Sequence, residues 1–556
     1  MTLMDKKYLY FCCTIVATAL LILSIVNIIP ITFIPFLENR WSTFFLWLVF
    51  TSLLLISNTE YKSFTFSDWE KRSILTMIIL TTLIGIIHRQ FTSICIQACI
   101  FVVIIYICKS VPSNINARKY IYMVVLIGCI LNIYISLFPS FSPQNSQTTN
   151  LNVVDISLCA TIAIILIDNI QYSRCWIKYT NFVLISILIS TLIYIGSRVG
   201  LISVVSYFLL KYITHKRSSF ILFFSLMFII SCFFKSASTT GRAIIIKTAF
   251  TMLDSPAKLL FGLGPNGFEN NYMIHQASIS SSLSADKQLL LDNIIHPLNE
   301  FILFCINYGC VTLCVLACIL FLFAKHLSKS YLTLGIGWTM LLYSMLSHPT
   351  CYPIFIVLLM ICYWESISTP LPQHRLVAPL KRIKLRPFMT LLYLVPCIVI
   401  CTMLYTKISG MHKWELAKNN ALLGRHEKAI TEYESALSYY NDESIIFNYA
   451  SFLLSIGKAT KARSLMEGLP ICNYETTILQ GNIFFALSDY ESAEQAYLLA
   501  EKMCPNRFLP LYQRFLIAQT QNNEDKMANI KKQLLKKPIK INSPEIKYML
   551  HNINNL

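Results

Sequence analysis

Charged residues are scarce in this sequence. Only 13% of its 556 residues are Asp, Glu, Lys or Arg, whereas 55% are hydrophobic. Soluble globular domains contain about a quarter charged residues, so this composition, with a mean hydropathy of +0.58, excludes that class. The chain is predicted to have a lipid bilayer as its solvent.

The cysteines lack the spacing of a metal site or a disulfide framework. No two of them form a CxxC pair, and 17 of the 19 lie between Cys12 and Cys401, mostly inside apolar runs. We expect those to be small buried apolar side chains, while Cys472 and Cys504 are too isolated to predict a bridge. A small-residue cleavage site is also lacking after the first apolar run, 8–29, so a membrane span is predicted there rather than a cleaved signal peptide.

Long apolar runs are abundant, and they predict an all-α protein with a polytopic membrane helix bundle of about thirteen transmembrane helices. Several runs are shorter than the roughly 20 residues that cross a bilayer, so their boundaries are approximate. The predicted spans are 8–29, 42–57, 73–88, 91–108, 120–139, 152–168, 181–196, 199–214, 219–234, 297–323, 331–346, 350–365 and 387–406.

The basic residues lie asymmetrically between these spans. If the N-terminus is cytoplasmic, 20 Lys and Arg residues lie on the cytoplasmic side, and the short connections of the other side contain only Arg40, Arg89 and Arg198. Basic loops are retained in the cytoplasm, so the pattern predicts this orientation. The formal net charge of +18 therefore requires no nucleic-acid partner, and an odd number of spans puts the C-terminal region outside the cytoplasm.

A repeat with a period of 31 to 34 residues follows the last span. Its copies are Gly424–Ala429, Gly457–Ala462, Ser488–Ala493 and a weaker Asn522–Ala528. The period, and a small alanine where paired helices approach, resemble tetratricopeptide repeats, which stack helix pairs into a solenoid with a concave binding face.

Two domains are therefore expected. The first is a membrane core over residues 1–407, with a large external loop at 235–296. The second is a tetratricopeptide-like α-solenoid over residues 411–540, whose concave face is suited to a protein partner. A polar loop of this length between two spans is usually functional.

Polar motifs cluster on the predicted external side. They are Gly196–Gly200, Gly241–Arg242, Gly262–Tyr272, His296–Glu300 and Ser347–Pro353. The first turn joins two apolar runs almost directly, so it brings Arg198 to the membrane boundary, although a lone arginine there can also simply extend to the lipid headgroups. The glycine-rich turn at 262–267 does not follow a predicted strand, so it does not predict a dinucleotide site.

The residue types in these motifs suit one kind of chemistry. The guanidinium groups of Arg198 and Arg242 are suited to a diphosphate, because arginine offers a fixed set of donors and stays charged. His296 is suited to a general base, because the pKa of histidine lies near neutrality. The sequence has no carboxylate cluster with metal-ligand spacing on this side, so the chemistry is expected to need no metal and no cofactor.

Residues 140–365 resemble the O-antigen ligases and bacterial protein O-oligosaccharyltransferases, whose core is also similar to that of O-antigen polymerases. The strongest element is His296 followed by Asn299, Glu300, Tyr308 and Gly309. The other similar elements follow in the order Asn150–Asn152, Ser197–Gly200, Gly241–Arg242, Gly262, Gly264, Phe268, Tyr272 and Tyr352–Pro353. The oligosaccharyltransferase branch commonly has a glutamate before this tyrosine, whereas this chain has Thr350-Cys351.

The resemblance implies a C-type glycosyltransferase-like membrane fold. It implies transfer of a glycan from an undecaprenyl-diphosphate carrier to an acceptor hydroxyl at the periplasmic face of a bacterial inner membrane. In that reaction Arg198 and Arg242 would hold the diphosphate, and His296 would take or orient the acceptor proton. The further candidate site residues are Asn152, Gly264, Tyr272, Asn299, Glu300 and Tyr352.

Several alternatives remain open from the sequence. The acceptor is a protein Ser or Thr, a lipid A core sugar, or another glycan repeat, the last making the protein an O-antigen polymerase. A polysaccharide transporter or flippase with a periplasmic adaptor domain would have repeated halves and ionisable residues near the middle of the membrane; Asp155 and Asp168 lie at or near the ends of the sixth predicted span. A non-catalytic repeat scaffold would need only one span.

Overall fold

A computed structural model of the protein describes residues 3–26, 36–58, 68–89, 91–110, 115–137, 149–169, 175–212, 236–326, 330–367, 386–470 and 472–555. The predicted span 219–234 lies outside these residues. All regular secondary structure in the described ranges is helical, in agreement with the predicted fold class. The chain forms two compact units.

The α-helices, in chain order, are α1 Leu3–Ile25, α2 Phe36–Asn58, α3 Asp68–His88, α4 Phe91–Ser110, α5 Ile115–Leu137, α6 Thr149–Asn169, α7 Cys175–Ile195, α8 Arg198–Tyr212, α9 Ser236–Thr251, α10 Pro256–Phe261, α11 Gly267–Ser280, α12 Ala285–Gln288, α13 Glu300–His326, α14 Tyr331–Leu346, α15 Ile354–Ile367, α16 Arg386–Leu422, α17 His426–Tyr439, α18 Glu443–Ser455, α19 Ala459–Glu467, α20 Tyr474–Ala486, α21 Tyr490–Met503, α22 Leu509–Thr520, α23 Glu524–Lys536 and α24 Pro544–Asn555. A short 3₁₀ helix, Pro349–Cys351, precedes α15.

The first unit comprises residues 1–233, 298–301 and 314–406, and helix α6 lies at its centre. Residues 158–167 of α6 are between 0 and 2% exposed, and the helix packs against α5, α7, α8 and α14. A helix that is apolar on all sides is stable where protein or lipid covers it. For this part of α6 the neighbouring helices provide that cover.

Five of the described helical segments are long and apolar enough to cross a membrane. They are Glu70–His88, Lys119–Leu137, Lys178–Ile195, Glu300–Lys325 and Leu394–Leu422. Shorter apolar segments are Cys12–Ile25, Cys95–Ser110, Tyr331–Leu346 and Ile354–Ser366. Large apolar side chains also face outward, for example Phe182 at 72% and Tyr194 at 85% exposure. These features are those of a membrane protein.

Ion pairs lie at both ends of the helices of the first unit. At one end, Arg40 near the start of α2 pairs with Asp155 near the start of α6. At the other end, Lys109 at the end of α4 pairs with Glu70 at the start of α3, and Lys211 pairs with Asp168 at the ends of α8 and α6. Such pairs fit consecutive helices that run alternately in opposite directions.

The second unit comprises residues 234–297, 302–313 and 407–556. It therefore contains the loop expected at 235–296 together with the helices of the C-terminal repeats. The loop is itself folded into helices α9 to α12. Neighbouring C-terminal helices pack against each other along the chain, as in the pairs α18 with α19, α20 with α21, and α22 with α23.

The repeat found in the sequence corresponds to a repeated backbone conformation. The first residue of each copy has a positive φ, namely 70° at Gly424, 76° at Gly457, 62° at Ser488 and 52° at Asn522. Five residues later, Ala429, Ala462 and Ala493 are all fully buried.

In the weaker fourth copy, the residue that packs into the core comes one position earlier than predicted. Ala528 is exposed, whereas Met527, five residues after Asn522, packs against the core of the last helices. A methionine thus stands where the other three copies have alanine, which explains why this copy is weak in the sequence.

Candidate functional site

A buried arginine organises one end of the first unit. The Arg40 side chain is 1% exposed and its Nη1 lies 2.7 Å from Asp155 Oδ2. Its Nε donates to the carbonyl of Ser24 at 3.1 Å, and its Nη2 donates to the carbonyl of Ile25. Asn132 Nδ2 also donates to Asp155 Oδ2, at 2.8 Å. The last carbonyls of α1 and one carboxylate therefore satisfy a guanidinium group that burial alone would destabilise.

This cluster extends to Tyr352, one of the predicted site residues. The guanidinium carbon of Arg40 lies 5.4 Å from the centre of the Tyr352 ring, and the ring of His348 lies 6.5 Å from it. Trp41 Nε1 donates to the carbonyl of Cys351 at 2.9 Å. The turn before α15 is thus fixed against the start of α2, with the Tyr352 side chain fully buried.

Of two further predicted residues, Glu300 binds the same turn and Asn299 binds the end of α14. A carboxylate oxygen of Glu300 accepts hydrogen bonds from the backbone N–H of Thr350 at 3.1 Å and from its hydroxyl at 2.6 Å. Asn299 Nδ2 donates to the carbonyl of Met345 at 2.8 Å. The sequence lacks a glutamate directly before Tyr352, but Glu300 supplies a carboxylate to this turn from the start of α13.

Arg198 is the first residue of α8, and the surrounding motif has a structural explanation. Gly196, with φ of 70°, makes the turn between α7 and α8. The Ser197 hydroxyl accepts from the backbone N–H of Gly200 at 3.2 Å, which caps the helix. Gly200 lies against Leu192 and the Tyr343 hydroxyl, where a side chain would meet both. The motif therefore holds Arg198, which is half-buried, at a helix N-terminus.

An apolar groove runs along α7. Among the described residues, Leu137, Phe182 and Tyr194 border an open groove of about 750 Å³. Its lining includes hydroxyl groups, but Ser190 and Thr191 donate to carbonyls one turn earlier in the same helix. The groove is therefore effectively apolar, and it ends at Tyr194, just before the turn that carries Arg198.

In the second unit, the glycine-rich turn closes on a break in helix α13. Gly309 interrupts the helix with φ 82° and ψ 170°. The freed carbonyls accept backbone hydrogen bonds, Ile306 from Leu263 at 2.9 Å and Asn307 from Gly264 at 2.8 Å. The glycines in this region of the predicted motif thus allow two backbone segments to approach each other closely.

Tyr272 packs beneath this turn. Its ring stacks on that of Phe268 with centroids 4.7 Å apart, and both side chains are fully buried. Burial raises the pKa of the Tyr272 phenol well above its usual value of 10.0. Tyr272 and Gly264, both predicted site residues, therefore have clear packing roles in the second unit.

The remaining predicted residues are distributed over the two units. Arg242 lies half-buried in α9 of the second unit, and His296 lies half-buried at the end of the folded loop, also in the second unit. Burial lowers the pKa of His296 below its usual value of 6.5, which favours the neutral imidazole that a base requires. Arg198 belongs to the first unit. The side chain of Asn152 lies outside the described part of the chain.

Sequence reasoning missed the pair of Arg40 and Asp155. The signal was that Asp155 lies inside an apolar run and Arg40 immediately precedes one, and charged groups at such positions need a partner. The two residues are 115 positions apart, so a single sequence offered no means of pairing them.

We expect replacement of Arg40 alone by methionine to destabilise the purified protein by about 3 kcal/mol, because it leaves the Asp155 carboxylate buried without its cation. The double replacement Arg40→Met with Asp155→Leu should cost clearly less. Thermal unfolding in detergent measures both. If the double variant were as unstable as the sum of the two single variants, the coupling inferred from the geometry would be wrong.

No protein-family model matches this chain, and no curated protein matches it. In the described part of the chain, no group of three or more His, Cys, Asp or Glu residues is placed to hold a metal ion.

Proposed function

We propose that this protein transfers a glycan from an undecaprenyl-diphosphate carrier to an acceptor hydroxyl at the periplasmic face of a bacterial inner membrane. The proposal includes about thirteen spans in a C-type glycosyltransferase-like bundle and a cytoplasmic N-terminus. It also includes a periplasmic tetratricopeptide-like solenoid formed by the C-terminal helices.

The apolar groove along α7, whose lining residue Tyr194 precedes Arg198 by four positions in the chain, is the observation that carries this proposal. A polyprenyl diphosphate is a long apolar chain with a compact dianionic head, so its site needs an apolar track that ends at a cation. The twelve residue steps from Phe182 to Tyr194 on α7 extend roughly 18 Å at 1.5 Å per residue. The chain continues from the groove to Arg198 at the N-terminus of α8, where helix N–H groups also favour an anion.

The reaction assigns roles to three of the candidate residues. The acceptor oxygen forms a bond to the anomeric carbon of the glycan, and the bond between that carbon and the diphosphate oxygen breaks. Arg198 and Arg242 stabilise the negative charge that develops on the departing undecaprenyl diphosphate. His296 takes the proton that the acceptor hydroxyl loses. This chemistry uses the chain's own side chains and needs no metal or cofactor.

The groove makes a specific prediction about the donor. Ile187→Trp fills the groove, and excluding about two methylene groups at about 0.8 kcal/mol each would weaken binding roughly tenfold. The KM for the full-length donor should therefore rise, while the KM for a donor with a shortened tail stays unchanged. Ile193→Trp is the control, because Ile193 is on the same helix, 62% exposed and not part of the groove lining. Equal effects of the two variants would contradict the assigned track.

The acceptor is a protein, a lipid A core sugar or another glycan repeat. We favour a protein acceptor, because helical repeats mostly bind peptides and proteins. An O-antigen polymerase is the first alternative, and a flippase with a periplasmic adaptor domain is the second. The buried charges at Asp155 and Asp168 are paired at opposite helix ends, whereas a transporter would use ionisable groups near the middle of the membrane.

Deletion of the gene in its host tests the proposal and separates the acceptors. Lipopolysaccharide ladders and periplasmic glycoproteins are compared in parallel in the deletion strain and its parent. Loss of glycan from proteins with an intact ladder selects the oligosaccharyltransferase. Loss of the ladder selects the ligase, and a ladder with a single repeat selects the polymerase. Unchanged ladders and glycoproteins would contradict all three forms of the proposal.

A further inference from the structure

The folded loop and the C-terminal helices share one hydrophobic core. Helix α11 of the loop packs against α21, and the buried side chains on the two sides interleave. From the loop these include Met252, Phe268 and Tyr272, and from the C-terminal helices Tyr497, Met503 and Cys504. The loop is therefore packed into the repeat helices as part of a single folding unit.

A buried glutamine fixes the loop to α21. The Gln276 side chain is 1% exposed, and its Nε2 donates to the carbonyl of Asp292 at 2.9 Å and to the carbonyl of Met503 at 2.7 Å. One amide group thus joins α11, the segment that leads to His296, and the last turn of α21. Both carbonyls would lose a buried donor if this side chain were removed.

The residues after α21 hold the same segment from the other side. Asn506 Nδ2 donates to the carbonyl of Leu291 at 2.6 Å. Arg507 Nη2 lies 2.9 Å from Asp292 Oδ1, and Lys540 Nζ lies 3.7 Å from Asp292 Oδ2. Burial by itself would raise the pKa of Asp292, but the hydrogen bond and charge of Arg507 outweigh it and hold that pKa below 3.8. The Asp292 carboxylate is therefore ionised and paired at neutral pH.

We propose that the repeat helices position His296 through this contact, with Arg507 and Lys540 as positioning residues that act on Asp292. The inference rests on the proposed function, because it concerns the base assigned to that reaction. Asp292 and His296 are four residues apart, a stretch that reaches at most roughly 14 Å when fully extended. Fixing one end of so short a segment limits where the imidazole can lie. Displacing a catalytic group by about 1 Å can cost about a hundredfold in rate.

The partial exposure of the ion pair makes it a suitable target for mutation. Arg507 and Asp292 are 49% and 37% exposed, and pairs of this kind contribute little to overall stability. Arg507→Ala should therefore leave the protein folded. It should release the segment at 289–296 locally, which hydrogen exchange of those backbone amides measures directly.

The experiment uses the full-length protein in liposomes, with matched variants. Arg507→Ala is compared with the conservative Arg507→Lys and with the charge exchange of Asp292→Arg and Arg507→Asp. Arg463→Ala is the control, because Arg463 lies in the same repeats, is 50% exposed and pairs with Glu467 on its own helix. The measurements are the glycan transfer rate, the KM for the donor and the exchange rates of amides 289–296.

We expect Arg507→Ala to lower the transfer rate by roughly tenfold to a hundredfold with little change in KM, and to speed exchange at 289–296. Arg507→Lys and the double variant with exchanged charges should largely restore the transfer rate and the slow amide exchange. Arg463→Ala should change neither the transfer rate nor the amide exchange. Unchanged exchange and unchanged transfer in Arg507→Ala would overturn the inference, provided that His296→Ala abolishes transfer. Faster exchange with unchanged transfer would overturn it as well. If His296→Ala itself retained transfer, the assignment of His296 as the base would fail instead, and if the wild-type protein showed no transfer, the proposed function would fail.

Discussion

Replacing His296 by alanine is expected to lower glycan transfer by two to four orders of magnitude, the range typical of a lost general base. The reason is that an acceptor hydroxyl is a weak nucleophile unless a base accepts its proton. His296 lies at the end of the folded loop, next to Pro297 and four residues before α13 begins at Glu300. Its removal should leave the diphosphate site intact, so binding of the donor should persist while turnover is lost.

His275→Ala is the matched control for this variant. His275 lies in the same unit, in α11, and burial lowers its pKa as it does that of His296. Because no role in transfer is assigned to it, the control should retain nearly full activity. Equal activity of His296→Ala and the wild type, with comparable amounts of inserted protein, would exclude His296 as the base.

The pH dependence of transfer follows from the same histidine. Burial lowers the pKa of His296 below 6.5, so the imidazole is neutral at pH 7 and becomes protonated only as the pH falls through that lowered value. A protonated imidazole cannot accept a proton. We therefore expect transfer to persist as the pH falls to 6.5 and to be lost below it. An acidic limb centred clearly above 6.5 would contradict this assignment.

Replacing Gly309 by alanine is expected to destabilise the second unit by about 2 to 6 kcal/mol. Two costs add together. The backbone at Gly309, with φ 82° and ψ 170°, lies in a region that costs other residues about 1 to 3 kcal/mol. An added Cβ would also overlap the backbone of Leu260 and Phe261, and forcing such contacts apart typically costs a further 1 to 3 kcal/mol.

Gly457→Ala separates the two costs. Gly457 has a similar φ of 76°, but nothing lies within 4 Å of the position that its Cβ would take. This control variant therefore bears only the conformational cost, about 1 to 3 kcal/mol. The measurements are the yield of monodisperse protein in detergent and its unfolding temperature. If Gly309→Ala unfolded at the same temperature as Gly457→Ala, the close contact between the glycine-rich turn and the broken helix would play no part in stability.

Much of the helical architecture was predictable because it depends on local sequence. The apolar run 331–346 coincides with helix α14, Tyr331–Leu346, and the run 91–108 falls within α4, Phe91–Ser110. The repeats were equally visible, because each copy begins with a left-handed residue and three of the four place a small alanine in the core. Apolar length and repeat period are both properties of short stretches of chain.

The predicted site was more difficult, because its contacts join residues far apart in the chain. The resemblance indicated Glu300 and Tyr352 as site residues. It did not indicate that Glu300 binds Thr350, which is 50 positions away. The pairing of Asp292 with Arg507 spans 215 positions. The sequence analysis therefore placed the loop in the membrane domain, whereas in the structure the loop and the repeat helices share a core. Patterns in one sequence carry no signal for such pairings.

The most direct test of the central claim is transfer by the purified protein in liposomes, supplied with an undecaprenyl-diphosphate-linked glycan and each of the three acceptors in turn. We predict that one acceptor gains the glycan and that free undecaprenyl diphosphate appears in equal amount. Chelation of divalent metal ions should have no effect on this reaction. Failure of the wild-type protein to release undecaprenyl diphosphate with any acceptor would contradict the assignment as a glycosyltransferase.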